Sequence, residues 1–233
     1  MKHYYGIYFL FILLLKRALS ARMTVPPAED FTRPAVYVCH YQDGFGVTNA
    51  LTFFPIFVHV WVYEALFSAK SCFHNARNIT FKERYKLPGF LAVFYAAFIA
   101  LFTPPLMRSA RAIPVYRANS RDRTKMHSTF ELSAQALAEG ECVLLFADIE
   151  YNSDSAQTGQ LYSGFTRVDK EYYELTGKHV PFIPVYCSKF RRKLLLGDAV
   201  YIESENPTRK ERKAVAENIQ QQLNKLAVIC HDV

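Results

Sequence analysis

Apolar residues fall in blocks along this chain, and the blocks differ in length and period. Ala35–Cys39, Ile56–Tyr63, Ala112–Arg117, Cys142–Phe146 and Val180–Cys187 are short β-branched or aromatic runs bounded by polar or turn residues, the pattern of buried strands. Within Ile56–Tyr63, Val58, Val60 and Val62 alternate with His59 and Trp61. Pro181 and Pro184 mark Val180–Cys187 as an edge strand or a strained one, because proline donates nothing to a ladder. Lys193–Leu196 and Ala199–Ile202 add a short strand or hairpin. Helical spacing predicts a helix from Val47 that ends near Pro55. A second runs to Glu139, with Met126, Phe130, Ala134 and Leu137 on one face and Gly140 as its stop. A third comes after Leu161–Phe165 and is closed by Gly177. A last one opens at Asn206-Pro207, read as an N-cap and a first-turn proline, and carries Val215, Ile219, Leu223 and Leu226 on one face.

Two longer apolar segments stand apart. Tyr4–Leu15 lies between Lys2 and Lys16-Arg17, and is short of the roughly 20 residues that a spanning helix needs. Basic residues between this run and Ala18–Ala21 are in the wrong order for a cleaved signal, so a helix anchored in a membrane face is favoured over a buried amphipathic helix. Leu87–Met107 is borderline in length, and Pro104-Pro105 is expected to end it. If the strands on either side of it share one sheet, it is embedded or core rather than spanning. Strands alternating with helices predict an α/β fold: one domain with a mixed, mostly parallel central sheet flanked by helices, plus apolar membrane-associating helices. The expected divisions are residues 1–32 for the N-terminal helix and a proline-containing linker, 33–205 for the α/β domain, and 206–233 for the C-terminal amphipathic helix packed on it.

Composition sharpens this picture. The 233 residues are 51% hydrophobic, yet the mean hydropathy is only −0.02, so the apolar content is concentrated in patches. A net charge of +7 points to an anionic partner. A phospholipid membrane surface or a phosphorylated substrate fits; nothing resembles a nucleic-acid-binding signature, so no nucleic-acid partner is expected. Residues 69–86, with Lys70, Arg77, Lys82, Arg84 and Lys86, read as a solvated face or one that meets anionic lipid. Cysteines 39, 72, 142, 187 and 230 have neither metal-ligand spacing nor an even count, which suits a reduced, intracellular setting and no metal.

Candidate chemistry sits where strands end. Ala35–Cys39 delivers His40, with Asp43 three residues on and Gly44 and Gly46 to let the backbone turn or come close to a ligand. A carboxylate on one imidazole nitrogen fixes the tautomer that leaves the other free to take a proton, so His40 with Asp43 reads as a general base and its orienting partner. His40 as a simple turn cap is the plain alternative. Arg117 follows another strand, and Asp148 and Glu150 a third. By themselves Arg117 reads as a surface ion pair, Asp148 as a cap or turn residue and Glu150 as solvated, while Tyr116, Tyr186 and Cys187 read as strand packing.

Taken in order from about residue 33 to 203, these blocks resemble the PlsC-like lysophospholipid and glycerol-phosphate acyltransferase family. His40 and Asp43 match its first block, and Ile113-Pro-Val-Tyr-Arg117 its second. Leu144-Leu-Phe-Ala-Asp-Ile-Glu150 with Gly159-Gln-Leu161 and Gly164 matches the third, and Val180-Pro-Phe-Ile-Pro-Val185 the fourth. The chain departs from the family in having two residues rather than four between His40 and Asp43. It also carries Ala147, Asp148 and Ile149-Glu150 where the family has Pro, Glu and Gly-Thr. The resemblance implies acyl transfer from acyl-CoA or acyl-carrier protein, as co-substrate, to a glycerol-phosphate or lysophospholipid acceptor at the cytoplasmic face of a membrane, with no metal or redox cofactor. It implies His40 and Asp43 as catalytic residues, Arg117, Arg121 and Lys125 on the acceptor's phosphate, and Asp148, Gly159 and Gly164 near the acceptor. A lipid-binding relative without catalysis, and a secreted or membrane structural protein, are the competing readings.

Overall fold

A computed structural model of the chain describes residues 5–116, 123–150 and 153–233. In chain order the elements are α1 (Ile7–Leu19), β1 (Ala35–Cys39), α2 (Phe45–Phe53), β2 (His59–Tyr63), α3 (Ala69–Asn75), α4 (Gly89–Ser109), β3 (Ile113–Val115), α5 (Arg123–Ala138), β4 (Cys142–Phe146), α6 (Arg167–Thr176), β5 (Phe182–Cys187), β6 (Leu194–Leu196) and α7 (Arg209–Ile229). β1 pairs in parallel with β4 and β5, β2 in parallel with β3, and β6 antiparallel with β5, a mixed, mostly parallel α/β arrangement. The chain divides into two compact units. One is built from Leu13–His59 and Phe130–Val233, the other from residues 5–12 and Val60–Thr129.

In the first unit the strand order is β4-β1-β5-β6. β1 runs parallel to β4, with Ala35 opposite Cys142 and Cys39 opposite Phe146, and parallel to β5 on its other side, with Val36 opposite Phe182. Every residue of β1 and β5 is buried, as expected where helices cover both faces of a sheet. Ala35, Tyr37, Cys39, Leu144, Ile183 and Val185 share one core cluster with Ala50 and Phe53 of α2. α7 packs on β5 and buries Val215, Ile219, Leu223 and Leu226.

Two expectations change here. β5 is an interior strand, not an edge, and tolerates Pro184 because that residue lies just past the end of the β5–β6 ladder. Its carbonyl still accepts from Gly197 N–H (2.9 Å). α7 is capped by Thr208 rather than Asn206. The Thr208 hydroxyl accepts from Glu211 N–H and the Glu211 carboxylate accepts from Thr208 N–H, a reciprocal box that leaves Pro207 outside the helix.

In the second unit β2 and β3 pair in parallel, Trp61 opposite Ile113 and Tyr63 opposite Val115. The connection between them is α3, its π-helical continuation over Ala76–Arg84, and α4, which packs against both. α4 turns an alanine stripe inward (Ala92, Ala96, Ala100, then Pro104) and leaves Phe90, Phe94, Phe98 and Leu101 exposed. Pro104 and Pro105 do not end it: proline's fixed φ is compatible with a helix, and the helix continues to Ser109 despite the two missing N–H donors. Among the described residues α4 is the helix long and apolar enough to cross a membrane. A single crossing would put the end of β2 and the start of β3 on opposite sides of a bilayer, which their pairing does not permit.

Candidate active site

His40 is the first residue beyond β1, and the parallel register sets Ala147 level with it and Asp148 one step further. Two strands that end side by side therefore bring their next residues together, although those residues are 108 apart in sequence. His40 Nδ1 donates to Asp148 Oδ1 at 2.5 Å, and Tyr41 N–H donates to Asp148 Oδ2 at 2.9 Å. Both carboxylate oxygens are thus engaged, and both side chains are buried. Backbone bonds from Ile149 N–H to the Gln160 carbonyl and from Tyr162 N–H to the Ala147 carbonyl hold the carboxylate's segment in place.

The turn after His40 is tight. Gln42 and Asp43 have φ of 46° and 49°, and Gly44 has φ of 87°. Gly46 is needed for a different reason: a Cβ there would lie 1.8 Å from the His40 carbonyl oxygen. On β5, the Tyr186 ring stacks beside His40, centroids 6.4 Å apart and 13° from parallel. Its hydroxyl donates to Asp232 (2.9 Å) and accepts from the Gln42 amide (3.1 Å). Burial, and then the Asp232 carboxylate, push the Tyr186 phenol well above its ordinary range, so it remains a neutral wall against the imidazole.

The second ring nitrogen, Nε2, meets the backbone carbonyl of Ser155 at 3.0 Å. His40 and Asp148 open into a cavity of about 310 Å³ whose further lining includes Glu150, Ser155, Thr158 and Gly159. α7 fixes that lining: Thr158 N–H donates to Asn224 Oδ1 (2.7 Å), and the Thr158 carbonyl accepts from Gln220 and Asn224 (3.2 Å each). The Thr158 hydroxyl itself is buried with no hydrogen-bond partner among the described residues.

No family model matches the sequence, and no curated protein matches it. Among solved structures, the 1-acyl-sn-glycerophosphate (LPA) acyltransferase PlsC from Thermotoga maritima is similar in fold. The likeness has a TM-score of 0.51 at 14% identity and spans 94% of this chain and 79% of that one. The chain has the PlsC acyltransferase fold.

Within this PlsC fold the site residues expected from sequence are distributed unevenly. His40, Asp148 and Gly159 meet at one cavity. Asp43 does not take the place expected for it: the left-handed turn leaves it exposed, and the carboxylate on the His40 ring is Asp148. Asp148 accordingly belongs to the histidine rather than standing apart as an acceptor contact. Gly164 lies in the 3-10 turn Ser163–Thr166, beside the Tyr162 ring and outside the cavity lining. Glu150 is exposed at the rim. Arg117, Arg121 and the Lys125 side chain lie outside the described residues. Tyr186, read as strand packing, is the ring against His40. Ser155 and Thr158 carry no signal of their own in a polar loop; only the parallel pairing of β1 with β4 directs attention to the residues beyond Phe146. Among the described residues no three His, Cys, Asp or Glu side chains gather as a metal site.

Proposed function

We propose that the chain is a membrane-associated O-acyltransferase that moves a fatty acyl group from an acyl thioester, acyl-CoA or acyl-carrier protein, to a hydroxyl of a glycerol-phosphate or lysophospholipid acceptor in phospholipid synthesis. The observation that carries this reading is the buried His40–Asp148 pair at the ends of two parallel strands, at one wall of a cavity. In this reading the acceptor hydroxyl takes the place of the Ser155 carbonyl and donates its hydrogen bond to Nε2 of a neutral ring whose proton is on Nδ1, facing Asp148. His40 removes the hydroxyl proton as the oxygen attacks the thioester carbonyl, and Asp148 orients the ring and stabilises the imidazolium formed. Collapse of the tetrahedral intermediate breaks the C–S bond, and the proton on His40 passes to the leaving thiolate. Arg117, Arg121 and Lys125 are proposed for the acceptor's phosphate, since a guanidinium fork suits its oxygens. α1 and the exposed aromatic face of α4 are proposed to hold the protein at the cytoplasmic face of a membrane, where acyl chains reside.

The test is acyl transfer by the purified full-length chain in detergent, with labelled acyl-CoA and a panel of glycerol 3-phosphate, lysophosphatidate and other lysophospholipids, beside His40→Ala. Product that disappears in the variant supports the assignment; product that persists removes His40 as the base. The Ser155 carbonyl on Nε2 favours a second reading, a catalytically inactive lipid-binding relative of the same fold. No turnover with any acceptor, together with tight liposome binding, selects that one.

A further inference from the structure

The turn between β5 and β6 carries Lys189, Arg191, Arg192 and Lys193, with Phe190 between them and no acidic residue. It is a fixed structure. Ser188 N–H donates to the Lys193 carbonyl, Arg191 N–H to Ser188 Oγ, and Phe190 N–H to Asp232. Two of its cations converge on one ring: Lys189 Nζ lies 5.4 Å and Arg192 Cζ 5.8 Å from the centroid of Phe45, the first residue of α2. The ring face attracts each cation, and an anion placed beside them offsets the repulsion between the two. In this structure the Asp154 carboxylate pairs with Lys189, whereas Arg191, Arg192 and Lys193 have no carboxylate partner among the described residues. Asp154 is 77% exposed and adjoins Ser155, the residue whose carbonyl covers His40 Nε2. Lys189 therefore holds the residue next to the one whose carbonyl must be withdrawn.

We propose that Lys189 and Arg192 form a binding site for a phosphate group of a substrate beside the loop that lines the His40 cavity, with Asp154, between the lining residues Ser153 and Ser155, occupying that group's place in the resting chain. A phosphate carries more charge than a carboxylate and has three acceptor oxygens, enough to satisfy the ammonium and the guanidinium together. When it displaces Asp154, the loop is free to withdraw the Ser155 carbonyl, so occupancy of the phosphate site and access to Nε2 are linked. Thr158, held by Asn224 and Gln220, limits the movement to the residues before it. Two sources supply such a group: the nucleotide phosphates of an acyl-CoA donor, or the phosphate of a glycerol-phosphate acceptor, which would then sit here in place of the contacts proposed for Arg117, Arg121 and Lys125.

Calorimetric titration of the detergent-solubilised full-length chain separates these, using CoA without an acyl group, glycerol 3-phosphate and inorganic phosphate as probes. The site is expected to bind CoA or glycerol 3-phosphate, and whichever binds identifies the source. Lys189→Ala and Arg192→Ala should each weaken that binding at least tenfold, Asp154→Asn should tighten it, and Lys193→Ala on the same turn should change it less than twofold. All these side chains except the half-buried Lys189 are exposed, so the fold is not at stake, and a circular dichroism melt of each variant checks this. Binding that ignores Lys189→Ala and Arg192→Ala, equal losses with Lys193→Ala, or no binding of any probe would each overturn the proposal. The inference shares its cavity with the acyl-transfer reading, but binding is measured without turnover, so one can fail while the other stands.

Discussion

At the scale of single residues, the site divides into groups whose removal has separable effects. Asp148→Asn keeps the shape but removes the charge that stabilises the imidazolium, and is expected to lower kcat by roughly 10²- to 10⁴-fold. Asp43→Asn, on an exposed residue in the left-handed turn, should leave kcat within about threefold, because general-base contributions of that size belong to the group on the ring. Measuring both variants under single-turnover conditions decides between the two carboxylates; a larger loss in Asp43→Asn would restore it as the orienting residue. Thr158→Val is more pointed. A buried hydroxyl without a partner costs about 1–3 kcal/mol, so its replacement by an isosteric methyl should raise the thermal midpoint. If the hydroxyl meets the substrate in the cavity, the same variant should lose about tenfold in kcat/KM. Gain in stability with unchanged activity would show that the hydroxyl serves nothing. Much of the site is legible in order but not in pairing: His40 and Asp148 are each visible at a strand end, yet nearness in sequence draws Asp43 into the role that the strand register gives to Asp148.

At the scale of elements, the two glycines after β1 offer a contrast in kind. At Gly44 a Cβ would meet open space, so Gly44→Ala bears only the left-handed backbone cost, about 1–2 kcal/mol. At Gly46 the Cβ would run into the His40 carbonyl, and Gly46→Ala is expected to cost about 3 kcal/mol or to displace His40 itself. Chemical denaturation gives the first comparison, and loss of activity out of proportion to stability would reveal the second. At the other end of the unit, Thr208→Ala should cost about 1 kcal/mol by opening the cap of α7. Hydrogen bonds from Ser204 and Thr208 hold the Glu211 carboxyl down at about 2, below its ordinary 4.5. A depressed carboxylate stabilises the fold at pH above the unfolded value, so this contribution is complete above about pH 4.5 and disappears as the pH falls towards 2. Glu211→Gln should flatten that part of the acid-stability profile; an unchanged profile would count against the cap. The strands are readable because short β-branched runs have few alternative fates. The positions of Pro104, Pro184 and Asn206-Pro207 are not, because what proline forfeits depends on where a donor is wanted. That is a property of the neighbouring chain rather than of the local sequence.

At the scale of the whole molecule, buried and exposed apolar surface serve different ends. The first unit encloses its aliphatic residues between β1, β5, α2 and α7, with the His40–Asp148 pair at the edge of that core. In the second unit α4 inverts the usual order, presenting small residues to its own packing partners and large aromatic ones outward. A helix arranged for water would bury the phenylalanines and expose something polar. Phe94 and Phe98 are 66% and 59% exposed, one turn apart on the outward face. Moving such a ring from water into the acyl boundary is worth about 2 kcal/mol. Replacing both by serine should therefore weaken binding to phosphatidylcholine vesicles roughly a thousandfold. Co-sedimentation with vesicles measures this directly. The same variant should keep its phosphate binding and its transfer to water-soluble acceptors in detergent, because neither the dyad nor the β5–β6 turn includes α4. Vesicle binding that survives the double replacement would assign the anchoring to α1, whose Phe11 and Leu14 are also exposed, and leave the aromatic face of α4 without a membrane role. Loss of vesicle binding and of detergent activity together would mean that the rings support the fold, and that the inverted helix is a packing arrangement rather than an anchor.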